Sequence, residues 1–188
     1  MESARIVVGL SGASGMPYAL DLLKALQGFG GLEVHLVLTP GARRVLWEEM
    51  GIPPKEVERL AHVVHKDTDL GASIASGSFR TRGMVVVPCS ASTLSKVAYG
   101  LANNLLTRAA YVHLKERRPL ILVLRETPLP LPTLEAMVRL AQAGAVVMPA
   151  SPGFYHRPKT IEDLVAFMTE RILDLLGLEA PGARRWKG

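Results

Sequence analysis

The stretch that most constrains this chain is Arg5–Leu26, RIVVGLSGASGMPYALDLLKAL. A β-branched run, Ile6–Val8, gives way to a turn carrying Gly9, Gly12 and Gly15. Ala19, Leu22, Leu23 and Leu26 then follow at the spacing of one helical face. A strand that feeds a helix through glycines is an arrangement that holds phosphate. Glycine lets backbone come close to an anion, and a helix start presents unpaired N–H groups. Ser11 and Ser14 are expected to add hydroxyl donors to that nest, and Pro17 has no amide hydrogen to lose near a helix start. The spacing is not that of a dinucleotide site: Ser11 stands where the second fingerprint glycine would be. The next strand ends Leu38-Thr39-Pro40, without the acid that holds a ribose. A mononucleotide phosphate is the preferred ligand, with a simple tight turn as the alternative.

Leu32–Leu38 reads as a second strand, Ala42–Met50 as a short helix closed by Gly51, and Pro53-Pro54 as the start of another through Ala61. His62–His65 is a short third strand. Lys66–Ser78 (KDTDLGASIASGS) has no periodicity, and a loop of that length is often functional. Met84–Val87 is apolar throughout, as a strand buried on both faces should be, and runs into Pro88-Cys89-Ser90-Ala91-Ser92-Thr93. Leu94–Arg117 is mostly helical with a break at Gly100–Asn104, and Leu120–Leu124 is a fifth strand. Thr133–Ala143 is a helix stopped by Gly144, and Ala145–Met148 a sixth strand. A proline-rich loop, Ala150–Lys159, leads to the helix Thr160–Leu176, with Thr160 and Asp163 as a capping pair.

Apolar strands alternating with amphipathic helices predict an α/β doubly wound, Rossmann-like fold. It is expected to be one domain over 1–177, a mainly parallel six-stranded sheet with helices on both faces, followed by a basic tail at 178–188. Right-handed crossovers would bring the loops at Ser11, Thr39, Ser90 and Arg125 to one sheet edge, at the crevice where strand order reverses.

Composition narrows the function classes. Aromatics are 5% of the chain, so Tyr18, Trp47, Tyr99, Tyr111, Tyr155 and Trp186 each call for a place. The net charge of +5 is spread along the sequence without a basic stripe, which disfavours nucleic acid. A single cysteine, Cys89, suits a reducing compartment, and no signal peptide or membrane-length apolar run is visible, so a cytoplasmic location is expected. With no basic neighbour in sequence, Cys89 is expected to be a buried inert thiol.

The charged candidates read as follows. Ser90, Ser92 and Thr93 open a helix and can cap it or grip a cofactor. Arg125-Glu126 at the mouth of an apolar strand is either a structural ion pair or a working pair, with Arg125 on an anion and Glu126 moving a proton. Glu48, Glu49 and Lys115 read by themselves as solvated helix ends. His35, His62, His65, His113 and His156 have no metal-ligand spacing, so no metal is expected.

GLSGASG, PCSASTLSKVAYGLANNLLTRAA, LKERRPLILVLRETPL and MPASPGFYHRPKTIEDL, in that order, resemble the UbiX-type flavin prenyltransferases, formerly described as aromatic acid decarboxylases. The resemblance runs from Ile6 to Trp186. It implies metal-free transfer of a dimethylallyl group from dimethylallyl monophosphate to reduced FMN. It also implies a homo-oligomer, typically a dodecamer with sites at subunit interfaces, and a UbiD-type decarboxylase as recipient of the product. By that match Gly12, Ala13, Ser14, Thr39, Ser90, Ala91, Ser92, Thr93 and Arg125 contact the flavin. Arg108, Lys115, Glu126, Tyr155, Arg171 and Trp186 form the prenyl-phosphate pocket. Glu126, Glu49, Lys115 and Ser14 become the catalytic candidates, and Leu70 stands where some members carry tryptophan. Two rival readings are a flavin-dependent decarboxylase of cysteine-derived carboxylates and a non-catalytic flavin carrier. The decarboxylases carry a Pro-Ala-Ser-Ala-Asn-Thr segment where this chain has Pro88-Cys89-Ser90-Ala91-Ser92-Thr93.

Overall fold

Strand β1 (Ala4–Leu10) is buried on both faces, and its alternation sorts the rest of the molecule. Ile6, Val8 and Leu10 point into one core and Val7 into the other. The structure, a computed structural model, describes residues 4–179. After β1 come α1 (Met16–Gln27), β2 (Leu32–Leu38), α2 (Pro40–Met50), α3 (Pro54–Glu58) and β3 (Val63–Lys66). A single 3-10 turn (Ser73–Ala75) interrupts the long loop before β4 (Gly83–Cys89). Then follow α4 (Ala91–Ala98), α5 (Leu105–Lys115), β5 (Leu120–Leu124), α6 (Leu131–Gln142), β6 (Val146–Pro149) and α7 (Ile161–Leu175).

The sheet order is β3-β2-β1-β4-β5-β6 and every pairing is parallel. Helices α1, α2, α3 and α7 cover the face of Ile6, Val8, Val34 and Val85, while α4, α5 and α6 cover the face of Val7, Met84 and Leu122. The expected doubly wound fold is therefore present, and the strand order reverses between β1 and β4. Element ends move by a few residues. β1 extends past Ile6–Val8, because its neighbours on both sides supply a ladder, and β4 runs on through Pro88 to Cys89. α7 begins at its capping box, with the Asp163 amide donating to Thr160 Oγ1 at 3.1 Å.

α5 carries a buried histidine. His113 Nδ1 lies 2.7 Å from the Ala109 carbonyl, which can only accept, so the ring donates there and Nε2 accepts from the Thr81 hydroxyl at 2.7 Å. The imidazole is thus neutral, and burial pushes its pKa from 6.5 down to about 4, with the Arg118 charge adding to the shift. The unfolded chain binds a proton near the ordinary value and the folded chain does not. Stability is therefore full above about pH 6.5 and is lost as pH falls through about 4, by on the order of 3 kcal/mol. Urea unfolding of the wild type and His113→Gln across that window should give a steeper acid loss for the wild type. Equal slopes would rule the histidine out.

Candidate functional site

At the switch point the loops after β1 and β4 are tied directly to each other. The Ser11 hydroxyl donates to the Pro88 carbonyl at 2.9 Å and accepts from the Ser90 amide at 2.8 Å. Ser11 is 1% exposed, so both sides of its hydroxyl are spent inside the protein. That corrects the expectation that Ser11 donates to a ligand: it is a strut between two loops, and Ser14 alone faces outward. The loop after β2 joins the same edge, with the Thr39 amide on the Leu10 carbonyl at 3.1 Å. A Cβ at Gly12 would stand 3.1 Å from the Gly41 Cα, so bare backbone on both sides is what lets these two loops meet. β5 closes the row, with the Arg125 amide on the Cys89 carbonyl at 3.0 Å.

The helices α1, α2 and α4 start on this edge beside one another, and their first N–H groups have different partners. α1 is capped by a side chain from another helix. Glu49, near the end of α2, accepts from the Gly15 amide at 3.1 Å through both oxygens and from the Met16 amide at 2.9 Å. A carboxylate at a positive helix end is favourable, and it fills the nest that the sequence assigns to phosphate. That expectation is corrected too: the α1 start is not an open anion site, and Glu49, although exposed at its own helix end, is tied to the start of α1. Thr39 caps α2, accepting from the Ala42 amide at 3.1 Å, and Ser90 caps α4, accepting from the Thr93 amide at 3.1 Å. The remaining early amides, Gly41 on α2 and Ala91 and Ser92 on α4, have no acceptor within their own helices. The free anion-binding donors therefore sit at α2 and α4, with the exposed Ser92 hydroxyl beside them.

Beside this edge opens a cleft of about 440 Å³, a volume in the range of small-molecule sites. Ser14, Glu49 and Arg125 line it together, opposite an apolar wall that includes Pro17, Ile161 and Val165. The ion pair considered for Arg125-Glu126 is absent: the Glu126 carboxylate accepts from the Thr127 amide at 3.0 Å. Among the described residues the Arg125 guanidinium has no ion-pair partner, and it projects into the cleft. Tyr18 also lines the cleft. The sequence singled it out only as a scarce aromatic. The available signal is its place three residues after Gly15, since helical side chains lean back toward the N-terminus.

The remaining candidates do not meet this cleft within one subunit. Tyr155 is 91% exposed at the tip of the β6–α7 loop, and Arg171 is ion-paired with Asp174 at 3.0 Å. Arg108 is exposed on α5, its guanidinium 5.9 Å from the Tyr111 ring. α5 starts at the crevice edge, where the Leu105 amide meets the Asp67 carbonyl at 2.8 Å, and runs to the opposite edge. Eleven residues at roughly 1.5 Å each carry Lys115 to the far end, where it pairs with Glu116 next to Gly77. Trp186 lies outside the described residues. Leu70 is exposed in the loop after β3.

Cys89 is buried, and burial pushes its thiol far up, which agrees with the inert reading. His62 lies just before β3 rather than in it, and the two histidines part company: His62 Nδ1 accepts from the Val34 amide, and His65 meets His35 Nδ1 at 2.9 Å. Among the described residues no group of three His, Cys, Asp or Glu side chains is disposed to hold a metal ion. No described helix is long and apolar enough to cross a membrane.

The flavoprotein family model matches residues 1–173 of the chain. The flavin prenyltransferase UbiX of Deinococcus radiodurans is 57% identical over 183 residues, 97% of this chain and 93% of the relative. The solved dodecameric FMN-dependent UbiX-like decarboxylase of Escherichia coli O157:H7 superposes with a TM-score of 0.95 at 43% identity, covering 98% of this chain and 100% of the other. AnUbiX, solved in complex with FMN and dimethylallyl pyrophosphate, gives a TM-score of 0.96 at 42% identity, covering 99% of this chain and 98% of that one.

Proposed function

The chain belongs to the UbiX flavin prenyltransferases, and from that premise we propose that it transfers a dimethylallyl group from dimethylallyl monophosphate to reduced FMN. The observation that carries the reading is the meeting of Ser14, Glu49 and Arg125 in one cleft beside two helix starts with free amides. The donor set suits a flavin mononucleotide. The Ala91 and Ser92 amides, the Ser92 hydroxyl and the α2 start around Thr39 would hold its phosphate. The backbone of Gly12 and Ala13, Ser14 and Arg125 would flank its ring. The close packing of Gly12 on Gly41 holds the loops after β1 and β2 together at this edge. Ser90 and Thr93 act through the cap of α4.

Reduced flavin supplies an electron-rich ring face. The reaction breaks the bond between the allylic carbon and the phosphate oxygen. Bonds form at the central-ring nitrogen and at the neighbouring benzenoid carbon; each of these atoms gives up its proton, and the carbon–carbon double bond of the dimethylallyl group is consumed as its middle carbon takes up one. Arg108, Lys115, Tyr155 and Arg171 hold the departing phosphate, and Glu126 gives it a proton. Glu49 accepts a proton that the flavin must release, on a carboxylate whose position the α1 amides fix. Arg108 and Lys115 come from a neighbouring subunit in this reading, because α5 carries them along an exposed surface and away from their own cleft. An exposed apolar stripe on α6 (Leu131, Leu134, Val138) favours burial against another copy, and a dodecamer like that of the Escherichia coli relative is the proposed assembly. A UbiD-type decarboxylase receives the product, and the reaction takes place in the cytoplasm. Residues 1–177 act as one flavin-binding domain with a basic tail.

The test is anaerobic and metal-free: the protein, reduced FMN and either dimethylallyl monophosphate or the diphosphate, with the extracted flavin weighed. The expected result is a flavin heavier by one five-carbon unit with the monophosphate. Unchanged flavin mass with both donors overturns the reading.

A further inference from the structure

Tyr18 occupies the third position of α1 and leans back over the helix start, its ring carbon Cδ2 3.0 Å from where a Cβ on Gly15 would be. Gly15 is at φ 116, a conformation side-chain-bearing residues avoid, so glycine there serves both the turn and the ring. The phenol is half-buried in the wall of the cleft that also holds Arg125. Burial raises its pKa, and the charge that tempers the rise is the Arg125 guanidinium. The hydroxyl is therefore protonated at neutral pH and lies within the field of that one arginine.

Arg125 itself is exposed, with no ion-pair partner among the described residues, and only its backbone is pinned. A long unpartnered arginine samples many rotamers, and ordering it opposes ligand binding. A carboxylate would order it but would also neutralise it and compete with an anionic or carbonyl-bearing ligand. The carboxylate that lines the cleft, Glu49, already has both oxygens on the α1 amides. A phenol oxygen can accept one guanidinium N–H and leave the charge and the other donors free.

We propose that Tyr18 is the positioning residue for Arg125: the two line one cleft without a hydrogen bond between them, and when flavin binds the phenol oxygen accepts one that holds the guanidinium toward the ring. The inference rests on the flavin reading of the cleft. It is tested by a double-mutant cycle on the full-length protein, titrating FMN by its fluorescence: wild type, Tyr18→Phe, Arg125→Ala and the double variant. Tyr18→Phe keeps the ring over Gly15, and an unchanged melting temperature verifies that the fold is intact. The expected result is about tenfold weaker FMN binding for Tyr18→Phe and no further loss when it is added to Arg125→Ala. A merely structural tyrosine would give additive losses. Additivity, or Tyr18→Phe at wild-type affinity, overturns the proposal while leaving the function intact. A wild-type protein that takes up no FMN overturns both.

Discussion

Glu126→Gln is expected to keep FMN bound and to lose prenyl transfer by about a thousandfold, the size of effect that removal of a placed proton donor produces. The carboxylate sits one residue beyond Arg125, at the end of β5, on the crevice edge. Its only partner among the described residues is the Thr127 amide, and glutamine can keep that bond through its carbonyl oxygen. The substitution therefore removes the proton without removing the local turn. FMN should stay because its assigned contacts come from the loops after β1, β2 and β4 and from Arg125. Bound flavin measured by absorbance, beside the mass of the extracted flavin, separates the two roles. Loss of FMN together with turnover would make Glu126 a structural residue.

Glu49→Ala should cost both stability and rate, and the magnitudes say which matters more. The side chain accepts from Gly15 and Met16 at the start of α1, so its removal leaves two helix-start amides without their acceptor. A charged cap of this kind contributes about 1–3 kcal/mol, out of the roughly 5–15 kcal/mol that keeps an ordinary domain folded. The variant therefore remains folded at 25 °C with a lower melting temperature. Loss of the proton acceptor lowers prenyl transfer by about a hundredfold to ten-thousandfold, more than any unfolded fraction can explain. Turnover of fully folded Glu49→Ala protein, verified by circular dichroism, is the measurement. Near-wild-type turnover in protein of lowered melting temperature would reduce Glu49 to a helix cap.

Glu49 also marks a limit of sequence reading. Two acids at the end of a short helix look solvated, and nothing local says that one of them reaches back to the start of α1. Ser11 is the reverse case. In sequence it resembles a ligand donor, and in three dimensions both sides of its hydroxyl are used between β1 and β4. Each assignment turns on a contact between residues more than thirty positions apart in the chain.

The apolar runs, glycine turns and helical spacings decided the order of strands and helices by themselves, because burial on two faces leaves a parallel alternation as the arrangement that fits. The motifs LKERRPLILVLRETPL and MPASPGFYHRPKTIEDL likewise identified the family, since they carry the site's chemistry within short spans. The tertiary structure alone decided which of those groups are free. It gave the α1 amides to Glu49, left those of α2 and α4 open, aimed Arg125 into the cleft beside Tyr18, and carried Lys115 to the far edge. Hydrogen-bonding capacity is finite, and which donor remains for a ligand depends on every acceptor the fold brings near it.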